Sequence, residues 1–448
     1  MSNVLDVYLH GQLIAKIERI AKSRYRLNYT PEVVASQGTA PISTLLPITR
    51  KSYTGETVER FLENLLPDRS AVKERWAQEA GLPDTEVFGL LRHYGADVAG
   101  ALEFYDEDSN RREEGNLQPI SDETIAMRIR TVHADDSEWG DEDANRHFSL
   151  GGAQGKFALA RMGNDWFDPT GQTPSTHIFK PGIANLTDSD ITEHLVMQIA
   201  RKTGLTVANT SIDFFAGERT LVVERFDRDT TATVANQRIH QEDFAQLTGR
   251  STLQKYEGDG GPTVRETLTA IERTSAPEYV SSSKLQYVAS LMFSWIIGNN
   301  DGHSKNYSLI IERNEERLTP LYDLNTYFPY MDHSALVAHD PSFGTSLELA
   351  FSINEKNRVG DLTLNDWTRL AAMARVHPSF LIEYGVRTAL ELPNLVRDAI
   401  EELPLLARTE VVDRLPHIAF IRSRAVILTL TGHDWSTIAA QRTNKGSN

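Results

Sequence analysis

The sequence predicts an α+β protein whose N-terminal part is rich in β-strands and whose C-terminal part is helical. Short apolar segments bounded by turn residues recur in the first half of the chain, for example at residues 4–17 and 220–227. From residue 364 to the end, apolar residues recur almost continuously at helical spacing. Between these regions, a polar loop at residues 298–306 lies between a predicted helix and a predicted hairpin. The functional interpretation depends on this loop.

The composition indicates a globular protein that does not bind nucleic acid by itself. The chain has 448 residues, of which 40% are hydrophobic and 24% charged, as in ordinary soluble proteins. The absence of cysteine excludes disulfides, thiolate metal sites and cysteine nucleophiles, and it fits the cytoplasm, where we expect the protein. A net charge of −16 argues against autonomous nucleic-acid binding but permits a basic protein partner. We expect no signal peptide and no membrane segment, because no apolar run approaches the roughly 20 residues that a span needs.

The polar loop follows a helix and precedes a hairpin. Apolar residues from Leu285 to Ile296 recur at helical spacing; the serines at 281–283 are predicted to cap this helix, and Gly298 is predicted to end it. Residues 307–312 and 318–321 have the pattern of two paired strands that lead into Asp323. A helical region is also predicted to begin at residues 240–247.

This arrangement fits phosphoryl transfer. A kinase uses one carboxylate to orient the acceptor hydroxyl, and an amide with a second carboxylate to hold Mg²⁺ on the phosphates of ATP. Asp301 and Asn306 have the D-x-x-x-x-N spacing of a kinase catalytic loop. Asp323 has the place of the D-F-G aspartate, although Leu324-Asn325 replace Phe-Gly. The alternative is a polar loop whose side chains only cap backbone groups; the helix before it and the aspartate after it favour the kinase interpretation.

A glycine-rich segment, residues 148–159, precedes the catalytic loop in the chain. Glycines in a turn between strands allow backbone N–H groups to approach phosphates closely. The segment is not a Walker A loop, because Leu150 and Phe157 stand where that motif needs glycine and a serine or threonine. A hairpin turn without a ligand is the alternative for this segment.

Residues on two predicted strands and one helix fit the nucleotide-binding half of a kinase. Lys180 ends a predicted strand at 176–180 and suits the lysine that contacts the α- and β-phosphates. Glu193 lies near the start of the next helix and is its candidate partner; a solvent-exposed glutamate is the alternative. The strand at 220–227 is the candidate hinge, with Glu224 to Phe226 beside adenine.

The ordered set of motifs resembles the HipA-type toxin kinases of bacterial type II toxin–antitoxin systems. The similarity covers nearly the whole chain, and although each motif is weak alone, their order and spacing are specific. The matching segments are Asn64 to Asp68, Gly95 to Leu102, Ser149 to Lys156, His177 to Lys180, Glu224 to Arg228, Gln241 to Asp243, Asp301 to Asn306, and Leu318 to Asp323.

The resemblance implies a role for each site residue. Asp301 would be the catalytic base, and Asn306 and Asp323 would hold Mg²⁺. Lys180 and His303 would contact the phosphates of ATP, and Glu224 and Phe226 would line the adenine site. Ser149 is the position that becomes autophosphorylated in the family, which displaces the loop and silences the kinase. The residues implied to cover the phosphates are Gly151, Gly152, Ala153, Gln154 and Lys156. Gly155 departs from the bulkier or acidic residue that family loops often carry.

The resemblance also implies a protein-kinase-like bilobal fold and a cellular role. We expect an N-terminal subdomain at 1–106, a small lobe with the glycine-rich loop and hinge at 107–235, and an all-α large lobe at 236–448. Family members phosphorylate serine or threonine of a protein substrate, notably glutamyl-tRNA synthetase, and arrest growth or cause persistence. A small helix-turn-helix antitoxin neutralises them and binds operator DNA, so the kinase would act as a corepressor that meets DNA only indirectly.

Two other functions remain open from the residues. A small-molecule or lipid kinase would share the same Asp, Asn and Asp, although the N-terminal part favours a protein kinase. A pseudokinase that serves as a corepressor scaffold would carry a damaged site, whereas Lys180, Asp301, Asn306 and Asp323 are all present.

Overall fold

The computed structural model describes residues 2–36, 40–107, 115–134, 148–149, 154–183, 186–229, 237–332, 334–337, 340 and 342–445. The chain forms two compact units. The first contains residues 1–184, 213–255 and 308–319, and the second contains 185–212, 256–307 and 320–448. None of the described helices is both long enough and apolar enough to cross a lipid bilayer.

The first unit begins with a five-stranded antiparallel sheet in the order β4-β3-β2-β1-β6. His10 and Gly11 have positive φ angles of 49° and 76° and form the turn between β1 and β2. Four helices pack on this sheet around a core that includes the buried Trp76, Phe88 and Phe104. The elements are β1 (Val4–Leu9), β2 (Gln12–Ala21), β3 (Arg24–Tyr29), α1 (Pro31–Ala35), β4 (Ser52–Thr54), α2 (Glu56–Glu63), α3 (Ser70–Glu79), α4 (Val87–Tyr94), β5 (Asp97–Val98) and β6 (Leu102–Asp106).

A second sheet has six strands in the order β12-β13-β11-β9-β10-β7. Helix α5 covers one face, where Phe157, Trp166 and Phe179 pack together. A separate parallel pair is formed by β5 and β8, with Val98 in register with Ser149. The elements are β7 (Asn116–Pro119), α5 (Asp122–Ala134), β8 (Phe148–Ser149), β9 (Phe157–Met162), β10 (Asp165–Thr170), β11 (His177–Lys180), β12 (Thr210–Phe215) and β13 (Glu218–Glu224).

The remainder of the first unit contains two small sheets. Gln241–Asp243 pair with the hairpin that follows the catalytic loop, in the order β16-β17-β18. The elements are β14 (Arg228–Asp229), β15 (Gln237–Arg238), β16 (Gln241–Asp243), α7 (Phe244–Leu247), β17 (Ser308–Ile310) and β18 (Arg317–Leu318).

The second unit is mainly helical and is built around α9. This helix is buried on most of its surface, and Trp295 packs against Trp367 of α11 at a ring distance of 5.2 Å. The elements are α6 (Ser189–Lys202), α8 (Val264–Thr274), α9 (Val280–Ile297), α10 (Ser334–Val337), β19 (Glu348–Ile353), β20 (Lys356–Arg358), α11 (Leu364–Ala374), α12 (Pro378–Glu401), α13 (Glu410–Thr431) and α14 (Trp435–Lys445).

Three details of the structure differ from the sequence-based expectations. The serines at 281–283 lie inside α9 instead of capping it. The Ser282 hydroxyl donates to the carbonyl of Tyr279, and this bond allows a serine to lie within the helix. Residues 241–243 form a strand before the short helix α7, because they pair with β17. The C-terminal part is not purely helical, since β19 and β20 form a hairpin within it.

Candidate active site

The catalytic loop begins where α9 ends, at Gly298. This glycine has a left-handed φ of 72°, and its N–H donates to the carbonyl of Ser294, as in a glycine-terminated helix. A methyl group added here would lie 2.5 Å from the ring of Phe328, so glycine is needed both for its conformation and for the close approach. Gly298 thus turns the chain out of a buried helix and into the polar loop.

Hydrogen bonds within the loop fix Asp301 and Asn306 relative to each other. The Asn306 side-chain amide donates to the Asp301 carbonyl at 2.7 Å, and the Asp301 N–H donates to the Asn299 side chain at 3.1 Å. The His303 N–H donates to the same Asp301 carbonyl at 2.8 Å. The Asp301 side chain is 55% exposed, so a substrate hydroxyl can reach its carboxylate.

Two aromatic side chains surround the Asp301 carboxylate. The Tyr256 hydroxyl donates a short hydrogen bond to Asp301 Oδ1. His303 is buried, and its Nε2 lies 3.8 Å from the same oxygen. The rings of Tyr256 and His303 meet edge to face at 4.9 Å. The sequence interpretation included His303, whereas no pattern in the sequence relates Tyr256 to Asp301.

The segment that contains Asp323 is attached to both ends of the catalytic loop. The φ angle of Asp323 is 54°, in the left-handed region. Aspartate tolerates this conformation better than most residues, and it is common at functional sites. The adjacent Tyr322 hydroxyl donates to the Lys305 carbonyl at 2.9 Å. The Thr326 hydroxyl donates to the Ile297 carbonyl at 2.6 Å. The structure therefore brings the Asp323 segment and the loop of Asp301 and Asn306 together in one unit.

The donor set of Asn306 and Asp323 fits Mg²⁺, which prefers oxygen ligands and keeps several waters. Because the Asn306 amide nitrogen is oriented by the Asp301 carbonyl, the amide oxygen is the atom left to accept a cation. Asn306 is buried, whereas Asp323 is partly accessible. One carboxylate and one amide are what a metal bound largely through nucleotide phosphates needs from the protein.

The candidate nucleotide-binding residues of the first unit lie on and beside β11 and β13. Lys180 is buried at the end of β11, in register with Leu221 of β13. The Gln154 side chain donates to the carbonyl of Pro181 at 3.2 Å, next to Lys180, and Lys156 is buried as well. Glu224 is in register with His177.

Burial alternates from residue to residue along the candidate hinge. Glu224 and Phe226 are half-buried, whereas Arg225 and Asp227 are buried. Glu224 ends β13, and Phe226 lies in the turn that follows it. These two side chains are therefore the more accessible ones of the candidate hinge.

Some expected site residues fall at the edge of the described structure. Gly151, Gly152 and Ala153 lie outside the described residues. Ser149 is described only through its backbone, which pairs with Val98. Glu193, near the start of α6, is buried, so the alternative of a solvent-exposed glutamate is wrong. Its pairing with Lys180 stays a prediction.

Comparisons with known proteins identify the family. Residues 5–105 match the HipA N-terminal domain, and residues 148–402 match the HipA-like C-terminal domain. A putative kinase of Sinorhizobium fredii strain NGR234 is 30% identical over 377 residues, which are 83% of this chain and 86% of the relative. The serine/threonine-protein kinase toxin HipA of Shewanella oneidensis strain MR-1 is 28% identical over 432 residues, which are 91% of this chain and 95% of that toxin.

The fold agrees with these sequence matches. The solved structure of Shewanella oneidensis MR-1 HipA with HipB and operator DNA superposes with a TM-score of 0.78 at 24% identity, over 95% of this chain and 97% of that one. The predicted α+β, kinase-like fold is thereby confirmed. The chain belongs to the HipA family of serine/threonine-protein kinases and is a kinase of this class.

Proposed function

We propose that this kinase uses ATP and Mg²⁺ to phosphorylate a serine or threonine of a translation-related protein, and that it is the toxin of a type II toxin–antitoxin module. The observation that carries the catalytic part is the amide of Asn306 donating to the carbonyl of Asp301 at 2.7 Å. This bond presents an exposed carboxylate for the acceptor and an amide oxygen for the metal within one short loop.

We assign the following roles in the reaction. Asp301 orients the acceptor hydroxyl and accepts its proton as the oxygen attacks the γ-phosphorus. Asn306 and Asp323 hold Mg²⁺, which neutralises charge on the phosphates. Lys180 and His303 contact the phosphates, together with the loop residues Gly151, Gly152, Ala153, Gln154 and Lys156. Glu224 and Phe226 contact adenine. A small-molecule kinase would use the same groups, but the N-terminal match at residues 5–105 favours a protein substrate.

We further propose that phosphorylation of Ser149 silences the enzyme. Ser149 lies near the start of the glycine-rich segment and pairs through its backbone with Val98. A phosphate adds about −1.5 to −2 charges and three acceptors, which is enough to change how a loop pairs with its surroundings.

The proposed partner is a small helix-turn-helix antitoxin. The related HipA of Shewanella oneidensis was solved with HipB and operator DNA. The net charge of −16 makes direct DNA binding by this chain unfavourable, so operator contacts would come from the antitoxin, with the kinase as corepressor. Glutamyl-tRNA synthetase, the known target in the family, is the first candidate substrate.

Comparing the wild type with Asp301→Asn tests the catalytic proposal. Substituting the base should lower MgATP turnover by about 10³-fold, the scale of losing an essential acid–base group. Binding of a fluorescent ATP analogue should persist and act as the folding control. Mass spectrometry of the same preparations should find phosphate on Ser149 of the wild type and none on the variant. Equal turnover by the two proteins would contradict the role of Asp301, and turnover that does not fall as phosphate accumulates on Ser149 would contradict self-silencing.

A further inference from the structure

The Tyr256 hydroxyl lies where a kinase substrate would place its own hydroxyl. It donates to Asp301 Oδ1, an oxygen of the proposed base. A candidate acceptor must come within about 2.6–3.2 Å of the base that accepts its proton. Tyr256 and an incoming hydroxyl that approaches Oδ1 would therefore compete for the same carboxylate oxygen.

A structured turn holds Tyr256 in this position. The Tyr256 carbonyl accepts hydrogen bonds from the N–H groups of Asp259, at 3.0 Å, and Gly261, at 2.8 Å. Gly260 closes the turn with a φ of 85°, a conformation that glycine adopts without strain. The next side chain, Glu257, accepts a hydrogen bond from the Ser352 N–H of β19 at 2.8 Å. The contact with Asp301 is therefore built into the backbone and is not the result of a loosely held side chain.

The ring of Tyr256 has a second contact, which is independent of its hydroxyl. It meets the buried His303 edge to face at 4.9 Å, a favourable aromatic arrangement. Removing only the hydroxyl leaves this packing in place. The hydrogen bond can therefore be tested separately from the position of the ring.

We propose that the hydroxyl of Tyr256 is an internal substitute for the acceptor hydroxyl, and that a substrate has to displace it from Asp301 before transfer occurs. This inference rests on the proposed role of Asp301 as the base. In the productive complex, the acceptor oxygen bonds to the γ-phosphorus of ATP, its proton passes to Asp301, and the bond to the β–γ bridging oxygen breaks to release ADP. While Tyr256 is bound, water cannot occupy the same position at Oδ1, and hydrolysis of ATP by a water activated there is suppressed.

The proposal makes Tyr256 a residue that selects the acceptor. Only a hydroxyl whose surrounding peptide contributes enough binding energy would displace the tyrosine, whereas water would not. A hydrogen bond to a charged group in a partly exposed site makes a modest net contribution to binding. We therefore expect loss of the Tyr256 hydroxyl to change acceptor-free hydrolysis and the KM for casein by about tenfold at most.

The test compares four proteins: wild type, Tyr256→Phe, Asp301→Asn and the double variant. MgATP hydrolysis is measured without an acceptor, and phosphate transfer is measured with dephosphorylated casein as a general serine acceptor. Tyr256→Phe should raise acceptor-free hydrolysis several-fold and lower the KM for casein without lowering kcat. The double variant should show no gain over Asp301→Asn, because the freed oxygen belongs to Asp301.

Tyr53→Phe is the matched control, since it removes a tyrosine hydroxyl that donates to the Pro47 carbonyl in the N-terminal sheet region, and it should leave both activities unchanged. A lower kcat in Tyr256→Phe with an unchanged KM would show that the tyrosine orients the base, and the proposal would be wrong. Hydrolysis equal to that of wild type would also overturn it, whether or not casein is a substrate. Equal rates for wild type and Asp301→Asn would instead contradict the underlying base assignment, so the two failures are distinguishable.

Discussion

Replacing Asp97 by asparagine tests a buried group of charges that joins β5 to the end of the candidate hinge. The Asp97 carboxylate is 2.7 Å from both Arg228 Nη2 and Arg238 Nη1, and 3.3 Å from Arg225 Nη1. It also accepts a hydrogen bond from the Ser175 hydroxyl at 2.6 Å. All of these side chains are buried, so water cannot replace the lost charge.

The expected loss follows from leaving guanidinium groups without their counter-charge. Removing one partner of a buried ion pair typically costs about 3–5 kcal/mol in the free energy of unfolding. That is a large part of the roughly 5–15 kcal/mol that stabilises a typical protein. Asp227, 2.9 Å from Arg225, and Glu103, 3.9 Å from Arg238, remain in the variant, but two carboxylates do not neutralise three arginines. We therefore expect a loss near the middle of the range.

The pH dependence of the loss has a defined sign. Burial by itself would raise the pKa of Asp97, but Arg225, Arg228 and Arg238 outweigh it and hold the pKa well below its usual range. The carboxylate therefore stabilises the fold at pH values above about 3.9, its unfolded pKa, and this contribution is lost as pH falls towards the folded pKa. The difference between wild type and Asp97→Asn should be largest at neutral pH and should shrink below pH 4.

Urea unfolding followed by tryptophan fluorescence measures the effect. Asp84→Asn is the matched control, because Asp84 pairs with Lys22 at 3.0 Å on the surface, and the same chemical change there should hardly move the unfolding midpoint. If Asp97→Asn moved the midpoint no more than Asp84→Asn does, or if the difference persisted unchanged at pH 3, the assignment of stability to this buried charge would be refuted.

Two further predictions concern single side chains. Gly298→Ala should lower the free energy of unfolding by about 2–4 kcal/mol, because it combines a left-handed backbone with a clash against Phe328. Gly432 has the same φ of 72° but open space around it, so Gly432→Ala should show only the loss caused by the backbone. Equal losses in urea unfolding would contradict the packing argument. Burial raises the pKa of Glu242 to about 7, so the folded state retains a proton that the unfolded state releases near pH 4, and stability should fall as pH rises from about 4 to 7. Glu242→Gln should remove this decline and be more stable than wild type at pH 8; a parallel decline in both proteins would assign it to another group.

Local patterns in the sequence were sufficient to predict many of the elements. Strand β11 ends at Lys180 and helix α9 ends at Gly298, as predicted, because apolar patterns and left-handed glycines act over a few residues. Prediction failed where tertiary pairing decided the outcome. Residues 241–243 became a strand only because a partner strand from residues 308–310 lies beside them.

The sequence by itself determined the chemical groups of the site: an aspartate, an asparagine five residues later and a second aspartate after a hairpin. It also determined the family, through the order of its motifs. Only the tertiary structure decided what surrounds these groups, because such contacts join residues far apart in the chain. Asp301 accepts a hydrogen bond from Tyr256, which is 45 residues earlier in the chain, and Asp97 accepts one from Arg225, which is 128 residues away. Hydrogen bonds and ion pairs depend on distance in space, and a pattern of neighbouring residues does not contain that distance.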